Sequence, residues 1–269
     1  MIPAAFTYRR AESVDEALRL LAEHGDDAKL LAGGHSLLPL MKLRLAVPEL
    51  LVDVAGLREL AFIDDADSAV RIGALTRHHD LANSALLTRE VPLLAHAAGT
   101  IGDPQVRHRG TLGGSLAHGD AAADLPAVAL ALDAVLVLRG PDGTREVPAG
   151  EFFVDFFETA LEPGEILTEI RVPKQTAGWD FQKFTRRAID WAVVGAAVAG
   201  DAVALVNMGA TPLRATAVES ALAAGASPAE AAEHAADDTS PADEPTASAD
   251  YRRHLARVLV RRALENSRA

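Results

Sequence analysis

The chain has 269 residues, of which 49% are hydrophobic and 24% charged, a composition typical of a globular protein with a sizeable core. Its formal net charge of −12 argues against nucleic acid or an anionic membrane as the main partner. It contains no cysteine, which excludes disulfides, thiol catalysis and any iron–sulfur cluster held by cysteines of this chain. No apolar stretch reaches the roughly 18 residues of a membrane span, and no secretory signal pattern is visible, so we expect a cytoplasmic protein.

The first predicted helix begins at a capping box. Ser13 caps the first turn, Glu16 reaches back toward it, and apolar residues then recur at helical spacing as far as a terminating glycine. Residues 29–32 form a short apolar run before paired glycines and are predicted to be a buried strand, and residues 50–54 are predicted to be a second one. These elements predict a first structural unit over residues 1–55.

A second unit, residues 56–175, is predicted from alternating helical and strand-like segments. Thr76 is the predicted cap of a short helix, and Asp124 is the predicted N-cap of a helix that runs to Leu132 with a proline in its first turn. A long loop is predicted over residues 100–119, and a Pro-Asp-Gly-Thr turn predicts an antiparallel hairpin. The other elements expected in this unit are strands at 69–73, 134–139, 145–147 and 165–172 and a helix at 91–99.

A third unit, residues 176–269, begins after a Gln-Thr-Ala-Gly segment that is typical of a domain boundary. Its strands predict an antiparallel sheet, and residues 226–249, rich in Ala, Asp, Pro, Ser and Thr, predict a flexible connection. Residues 250–264 predict an arginine-rich amphipathic helix, more typical of a solvated helix face than of a binding patch. The strands are expected at 181–186, 192–199 and 202–207, and a further helix at 213–224.

Two glycine-rich turns give the strongest local signal for function. Glycine lets backbone N–H groups approach a ligand closely, and successive amides form a nest that binds phosphate. Each turn carries a hydroxyl as a further donor, and a basic loop, Arg107-His108-Arg109, lies beside the second turn. The pair therefore predicts a diphosphate site. The turns consist of Ala32, Gly33, Gly34, His35 and Ser36, and of Thr111, Leu112, Gly113, Gly114 and Ser115.

Other motifs narrow the chemistry without settling it. The chain has neither the G-x-G-x-x-G of a Rossmann site nor the G-x-x-x-x-G-K-[ST] of a P-loop, so a dinucleotide would be bound by another architecture. His78 and His79 are adjacent along the chain and indicate a solvated helix start rather than a metal site. His118 and Asp120 fit either a ligand contact or loop hydration, and the basic loop fits either an anion partner or a solvated loop.

Three long segments stand in order along the chain: LLAGGHSLLPLMKLRLAVPELLVDVAGL, TIGDPQVRHRGTLGGSLAHGDAAADLPA and GEILTEIRVP. Together they resemble the FAD-binding subunits of molybdenum hydroxylases, the xanthine dehydrogenase family, in the form of the medium subunit of aerobic carbon monoxide dehydrogenases. The segments ATPLRATAVESAL and DYRRHLARVLVRRAL resemble that subunit's C-terminal domain, so the likeness covers nearly the whole chain.

The resemblance implies an α+β fold of the PCMH type, similar to vanillyl-alcohol oxidase. In this fold two lobes, residues 1–55 and 56–175, bind FAD, and an α/β C-terminal domain with an antiparallel sheet follows at residues 176–269. In this family a large subunit oxidises the substrate at a molybdenum cofactor, and a small subunit relays electrons through two [2Fe–2S] clusters. The resemblance therefore implies that the FAD of this chain collects those electrons and passes them to an external acceptor.

The implied partners are the [2Fe–2S] small subunit and the molybdopterin-bearing large subunit, in a heterohexamer with two copies of each subunit. Two alternatives stay open: a self-sufficient FAD-dependent oxidase or reductase of the same fold, and a non-catalytic FAD-binding protein.

The resemblance also implies roles for single residues. The two glycine-rich turns are expected to hold the FAD pyrophosphate, and Ile101 to lie against the isoalloxazine ring. Asp124 matches a carboxylate that holds the adenosine portion, a role that competes with helix capping. Leu167 and Lys183 match further FAD contacts. No catalytic acid or base and no metal ligand is implied.

Overall fold

The first sheet in the computed structural model, which describes residues 2–269, has three parallel strands. Its elements in chain order are β1 (Thr7–Arg10), α1 (Val14–His24), β2 (Ala28–Leu31), α2 (Leu37–Leu43) and β3 (Leu50–Asp53). β3 lies in the middle and pairs with both β1 and β2. The predicted cap of α1 is confirmed, because Ser13 Oγ accepts the N–H of Glu16. β1 was not predicted, since all of its side chains are exposed and show no alternation.

A second sheet has five antiparallel strands. The elements of this part of the chain are β4 (Ile63–Ala66), β5 (Ala69–Gly73), α3 (His78–Asn83), α4 (Ala85–Glu90), α5 (Pro92–Gly99), α6 (Pro104–Arg107), α7 (Leu112–His118), α8 (Asp124–Ala131), β6 (Val135–Gly140), β7 (Gly143–Pro148), α9 (Ala149–Phe152), β8 (Phe153–Asp155), β9 (Glu158–Thr159) and β10 (Ile166–Pro173). The strand order is β4-β5-β10-β6-β7, which confirms the predicted β6–β7 hairpin, and β8 and β9 form a separate small hairpin.

Three expectations for this part of the chain are wrong in detail. Thr76 does not cap a helix, because its Oγ1 donates to the Phe62 carbonyl and α3 begins after Arg77. The predicted loop at 100–119 contains two short helices, α6 and α7. Asp124 is not the N-cap of α8, since Ala123 occupies that position. Asp124 is instead the first residue of the helix and is buried.

The third sheet is antiparallel, as predicted, with its strands in sequence order. Its part of the chain consists of β11 (Trp179–Phe184), β12 (Val194–Ala199), β13 (Ala202–Val206), β14 (Leu213–Arg214), α10 (Thr216–Ala223), α11 (Pro228–Ala232) and α12 (Ala249–Asn266). The flexible connection predicted at 226–249 is wrong, because α11 and a 3₁₀ turn at 233–236 bury alanines beneath α12. The solvated arginine face is wrong at one position: Arg252 is 1% exposed and donates to the Val193 carbonyl.

The helix α8 packs against the third sheet and against helices of the second part of the chain. All of its residues are buried, and it contacts β12 and β13 on one side and α5 and α7 on the other. A helix that is apolar all round is expected at such a position. The three sheets fall within the three units expected from the sequence, but the division into separate units stays a prediction. Within residues 2–269, no helix is long and apolar enough to span a membrane.

Candidate functional site

A cavity of about 450 Å³ is lined by β2 and the turn after it, by the helical segments between β5 and β6, and by β11 with the loop after it. Its size is within the usual range for a small-molecule or cofactor pocket. Both glycine-rich turns, the start of α8 and the end of β11 contribute to its wall. Of the residues proposed from the sequence, the cavity is lined by Ala32, Gly33, Gly34, His35, Ser36, Ile101, Thr111, Gly114, Ser115, Asp124 and Lys183.

The first glycine-rich turn presents free backbone donors to this cavity. Within residues 2–269, the N–H groups of residues 33–36 have no backbone or side-chain acceptor. Gly34 has φ +78°, a left-handed conformation that glycine adopts without strain. Gly33 lies so close to the second turn that a Cβ on it would overlap the carbonyl oxygen of Arg109. The turn therefore has the consecutive unpaired amides of an anion-binding nest.

The second glycine-rich turn is built differently, because it forms the beginning of α7. Thr111 caps the helix and accepts the N–H of Gly114, while the N–H groups of Leu112 and Gly113 donate to the carbonyls of Thr76 and Ala74. Its amides are thus already used within the protein, and the sequence-based picture of a second open nest does not hold. Leu112 and Gly113 face the core, where a Cβ on Gly113 would lie 2.8 Å from the Ala74 oxygen.

A buried ion pair closes another part of the cavity. Lys183 Nζ, from β11, donates to Asp124 Oδ2 at 2.7 Å, and the Asp124 residue is 5% exposed. Asp124 Oδ1 is buried and has no hydrogen-bond partner among the residues described. Burial raises the pKa of the Asp124 carboxyl, and the charge of Lys183 opposes that rise. Asp124 lines the cavity, and a buried carboxylate oxygen without a partner is a ready acceptor for a hydroxyl.

His78 also lines the cavity, and its solvated position was predicted wrongly. The residue is 5% exposed, its Nδ1 has no partner among residues 2–269, and a Cβ on Gly110 would lie 2.7 Å from its Nε2. Burial lowers the pKa of His78 to about 4, and the proximity of His35, Arg77 and Arg107 contributes to this lowering. The imidazole is therefore neutral at physiological pH.

The Ile101 segment is held in place from within the protein. Arg107 Nη1 donates to the carbonyls of Ile101 and Gly102 at 2.9 and 3.2 Å, so this basic side chain orders the loop. Leu167, by contrast, does not line the cavity, since its side chain is buried in the core on β10. Leu167 is therefore the proposed cofactor contact that the position of its side chain supports least.

Several lining residues were not found from the sequence. Ile189 and Trp191, in the loop after β11, line the cavity although they are 59% and 57% exposed. Exposed apolar side chains at a pocket mouth are typical of a binding site. One of only two tryptophans in the chain was a signal that could have marked this loop. Leu37 and Leu40 of α2 complete an apolar wall.

The cavity combines unpaired amides, a buried carboxylate oxygen and apolar walls. Amides of this kind bind phosphate groups, the carboxylate accepts sugar hydroxyls, and the apolar walls suit a flat ring. The fold and the cavity together define a protein that holds a nucleotide cofactor.

Comparisons with known proteins specify the family. Residues 4–175 match the family model of the FAD-binding domain in molybdopterin dehydrogenase, and residues 179–267 match that of the carbon monoxide dehydrogenase flavoprotein C-terminal domain. The chain therefore belongs to the FAD-binding medium subunits of molybdenum hydroxylases. Its cofactor is FAD, and it is an oxidoreductase subunit.

Individual relatives match over nearly the full length of the chain. The carbon monoxide dehydrogenase medium chain of Hydrogenophaga pseudoflava is 46% identical, with 98% of this chain and 97% of the relative covered. The caffeine dehydrogenase subunit beta of a Pseudomonas species is 35% identical, with 98% and 95% covered. A solved carbon monoxide dehydrogenase from H. pseudoflava, which lacks the Mo-pyranopterin moiety, superposes with a TM-score of 0.96 at 45% identity, covering 99% and 98% of the chains.

A quinoline 2-oxidoreductase from Pseudomonas putida 86 superposes with a TM-score of 0.92 at 32% identity, covering 99% and 98% of the chains.

The α+β fold predicted from the sequence, with an antiparallel C-terminal sheet, is confirmed.

Proposed function

We propose that this chain is the electron-transfer subunit of its complex, taking electrons from the [2Fe–2S] clusters of a partner subunit and passing them to an external acceptor. The observation that carries this proposal is the full-length likeness to the carbon monoxide dehydrogenase medium chain. The absence of cysteine agrees with it, because clusters bound by cysteine must then belong to another chain.

The proposal places FAD in the 450 Å³ cavity. The free amides of the first glycine-rich turn would bind the pyrophosphate, and Thr111, Gly114 and Ser115 would approach it from the other side. Asp124 Oδ1 would accept a hydroxyl of the adenosine portion, and Lys183 would hold the carboxylate in place. The structure supports this arrangement because it satisfies both the unpaired amides and the buried oxygen.

The apolar end of the cavity would receive the isoalloxazine ring, against Ile101 as expected from the sequence and beside Trp191. Bound FAD supplies the ability to accept and release electrons, whereas the chain binds and orients it and sets the polarity around it. Leu112, Gly113 and Leu167 are buried and do not line the cavity, so their contribution would be to the packing of the fold rather than to contact with the cofactor.

The proposed partners are a small subunit with two [2Fe–2S] clusters and a large molybdopterin-bearing subunit, with two copies of each of the three chains. The medium-chain and complex-subunit names of the relatives support multi-subunit assembly. The alternative is a self-sufficient flavoprotein oxidase, which would need its own substrate-binding acid or base. Asp124 and His78 are buried titratable groups at the cavity that such an oxidase could use; Asp124 is already paired with Lys183, whereas His78 Nδ1 has no partner among residues 2–269.

Purification of the tagged chain from the cells that encode it tests the assignment. We expect iron, molybdenum and flavin to copurify, and the flavin to be reduced when substrate is added to the complex. The same complex stripped of FAD should still reduce its clusters but no longer pass electrons to the acceptor. Substrate-dependent flavin reduction in the isolated chain would instead establish the self-sufficient oxidase.

A further inference from the structure

Asn207 forms hydrogen bonds with two segments that adjoin the cavity, one leading into Asp124 and one following Trp191. It follows β13 and has φ +63°. This is the left-handed region of the backbone, which residues other than glycine, asparagine and aspartate rarely adopt. Asparagine is therefore one of the few residues that can take this backbone conformation and still offer an amide donor. The sequence analysis gave this residue no role.

The backbone of Asn207 holds the first segment. Its N–H donates to the Ala121 carbonyl at 2.8 Å. Ala121 belongs to the turn that leads into α8, in which Asp120 Oδ1 accepts the N–H of Ala122 at 2.9 Å. Ala123 and Asp124, which directly follow this turn, line the cavity. The hydrogen bond thus ties the C-terminal sheet to the segment that positions the buried carboxylate.

The side chain of Asn207 holds the second segment. Its Nδ2 donates to the carbonyls of Ala192 and Val193 at 2.8 and 3.3 Å. These residues directly follow Trp191, at the end of the exposed loop that lines the cavity mouth. Arg252 Nη1 donates to the same Val193 carbonyl at 2.8 Å, so the anchor is shared with a buried arginine of α12.

We propose that Asn207 is a positioning residue that fixes the Trp191 wall of the FAD cavity relative to the Asp124 wall. Ala192 and Val193 are buried, and buried carbonyls are held by the donors that pair with them. With the amide in place, the loop after β11 is ordered before the cofactor arrives, and a preorganised site binds more tightly. The inference rests on the proposed position of FAD in this cavity.

Hydrogen exchange in the cofactor-free full-length chain tests the anchor. Asn207→Gly keeps the left-handed backbone and its N–H but removes both side-chain hydrogen bonds. Because Arg252 keeps the Val193 carbonyl paired, we expect exchange over residues 185–193 to become about fivefold faster, the effect of losing the one ordinary hydrogen bond to the Ala192 carbonyl. The matched control is Asp238→Gly, an exposed residue with φ +57°, which should leave this segment unchanged.

FAD titration of the same proteins tests the consequence for the cavity. We expect Asn207→Gly to raise the Kd for FAD about fivefold. The near-isosteric Asn207→Asp should raise it further, because a carboxylate would face two carbonyl oxygens. A residue needed only for its shape would tolerate aspartate, so wild-type affinity in Asn207→Asp would overturn the proposal.

The two measurements separate the inference from the function on which it rests. Unchanged exchange over residues 185–193 in Asn207→Gly overturns the anchor, whatever the affinity for FAD. Faster exchange with an unchanged Kd overturns the link between the anchor and the cavity. A wild-type chain that fails to bind FAD, alone and in its complex, contradicts the cavity assignment itself.

Discussion

At the scale of single residues, the ion pair between Asp124 and Lys183 affects both folding stability and cofactor binding. These two effects can be separated by mutation. The pair places two charges in a nearly dry environment, with side chains that are 4% and 10% exposed. It also leaves Asp124 Oδ1 without a partner at the cavity. Removal of one member of a buried pair leaves the other charge uncompensated, whereas removal of both members is often tolerated.

Asp124→Leu, which removes both carboxylate oxygens, should therefore destabilise folding by about 3 kcal/mol, because Lys183 loses its counter-charge. Combining it with Lys183→Met should restore most of that stability but not the affinity for FAD, which we expect to fall at least tenfold in both proteins. Urea unfolding and FAD titration of the two variants provide the comparison. Full FAD affinity in the double variant would remove Asp124 from the cofactor site.

His78 predicts a dependence of stability on pH. Because its pKa in the folded chain, about 4, is below the ordinary 6.5, the unfolded chain binds more protons between these values. Stability due to this residue is therefore present at pH 7 and is lost as the pH falls. We expect a loss of about 2 kcal/mol at pH 5 relative to pH 7. His78→Gln should reduce the pH dependence of urea unfolding by that amount. An unchanged pH dependence would show that the pKa of His78 is not lowered in the folded chain.

At the scale of elements, the two glycine-rich turns depend on their contact with each other. Gly33 approaches the backbone just before the second turn too closely for any Cβ, and Arg77 Nη1 donates to the same Arg109 carbonyl. The first turn follows β2 and the second begins α7, so this contact joins the first sheet to the second part of the chain. A change at Gly33 would separate the two turns at the cavity.

Gly33→Ala should cost about 1–3 kcal/mol of stability through overpacking and should weaken FAD binding as well. The control is Gly150→Ala, an exposed helical position where a Cβ meets nothing within 4 Å, which should be neutral or slightly stabilising. Thermal unfolding with and without FAD measures both effects. Gly113→Val is a poorer test of the site, because its side chain would strike Ala74 in the core and disturb the fold first.

The sequence predicted those elements whose local signals agree with their environment. The capped amphipathic helix α1, the β6–β7 hairpin and the strands of the C-terminal sheet were found in this way. It missed β1, whose side chains are all exposed, and α11, whose alanines gain their burial only from the distant α12. Arg252 was assigned to solvent because composition does not reveal that Val193 and Glu244 would pair with it.

The same holds for the candidate site: features with a local sequence signal were predicted, and features that depend on contacts between distant segments were missed. Glycine-rich turns and a resemblance were enough to propose eleven of the twenty-five residues that line the cavity. They could not show that the amides of the second turn are used within the protein, since their acceptors, Thr76 and Ala74, come from a separate segment. Nor could they place the loop that carries Ile189 and Trp191 at the cavity mouth.

At the scale of the whole molecule, the cavity exists only because three parts of the chain meet. The first sheet supplies the open nest, the second part supplies α7 and α8, and the third sheet supplies Lys183 and the Trp191 loop. A ligand that binds only the folded state stabilises all parts that contact it. FAD is therefore expected to couple the N-terminal and C-terminal parts of the chain.

FAD at about one hundred times its Kd should raise the free energy of unfolding by about 2.7 kcal/mol. Hydrogen exchange should slow at residues 32–36 and at residues 185–191 together, because both segments line the cavity. Protection confined to the N-terminal segment would show that the third sheet takes no part in cofactor binding.

The most direct test of the central claim is the absorption spectrum of the purified chain after mixing with FAD and gel filtration, followed by denaturation. We predict one FAD per chain, released intact on denaturation, since without cysteine the chain cannot form a cysteinyl flavin bond. The Asp124→Leu, Lys183→Met double variant should retain much less. If neither the chain nor its assembled complex retained flavin, that result would contradict the account.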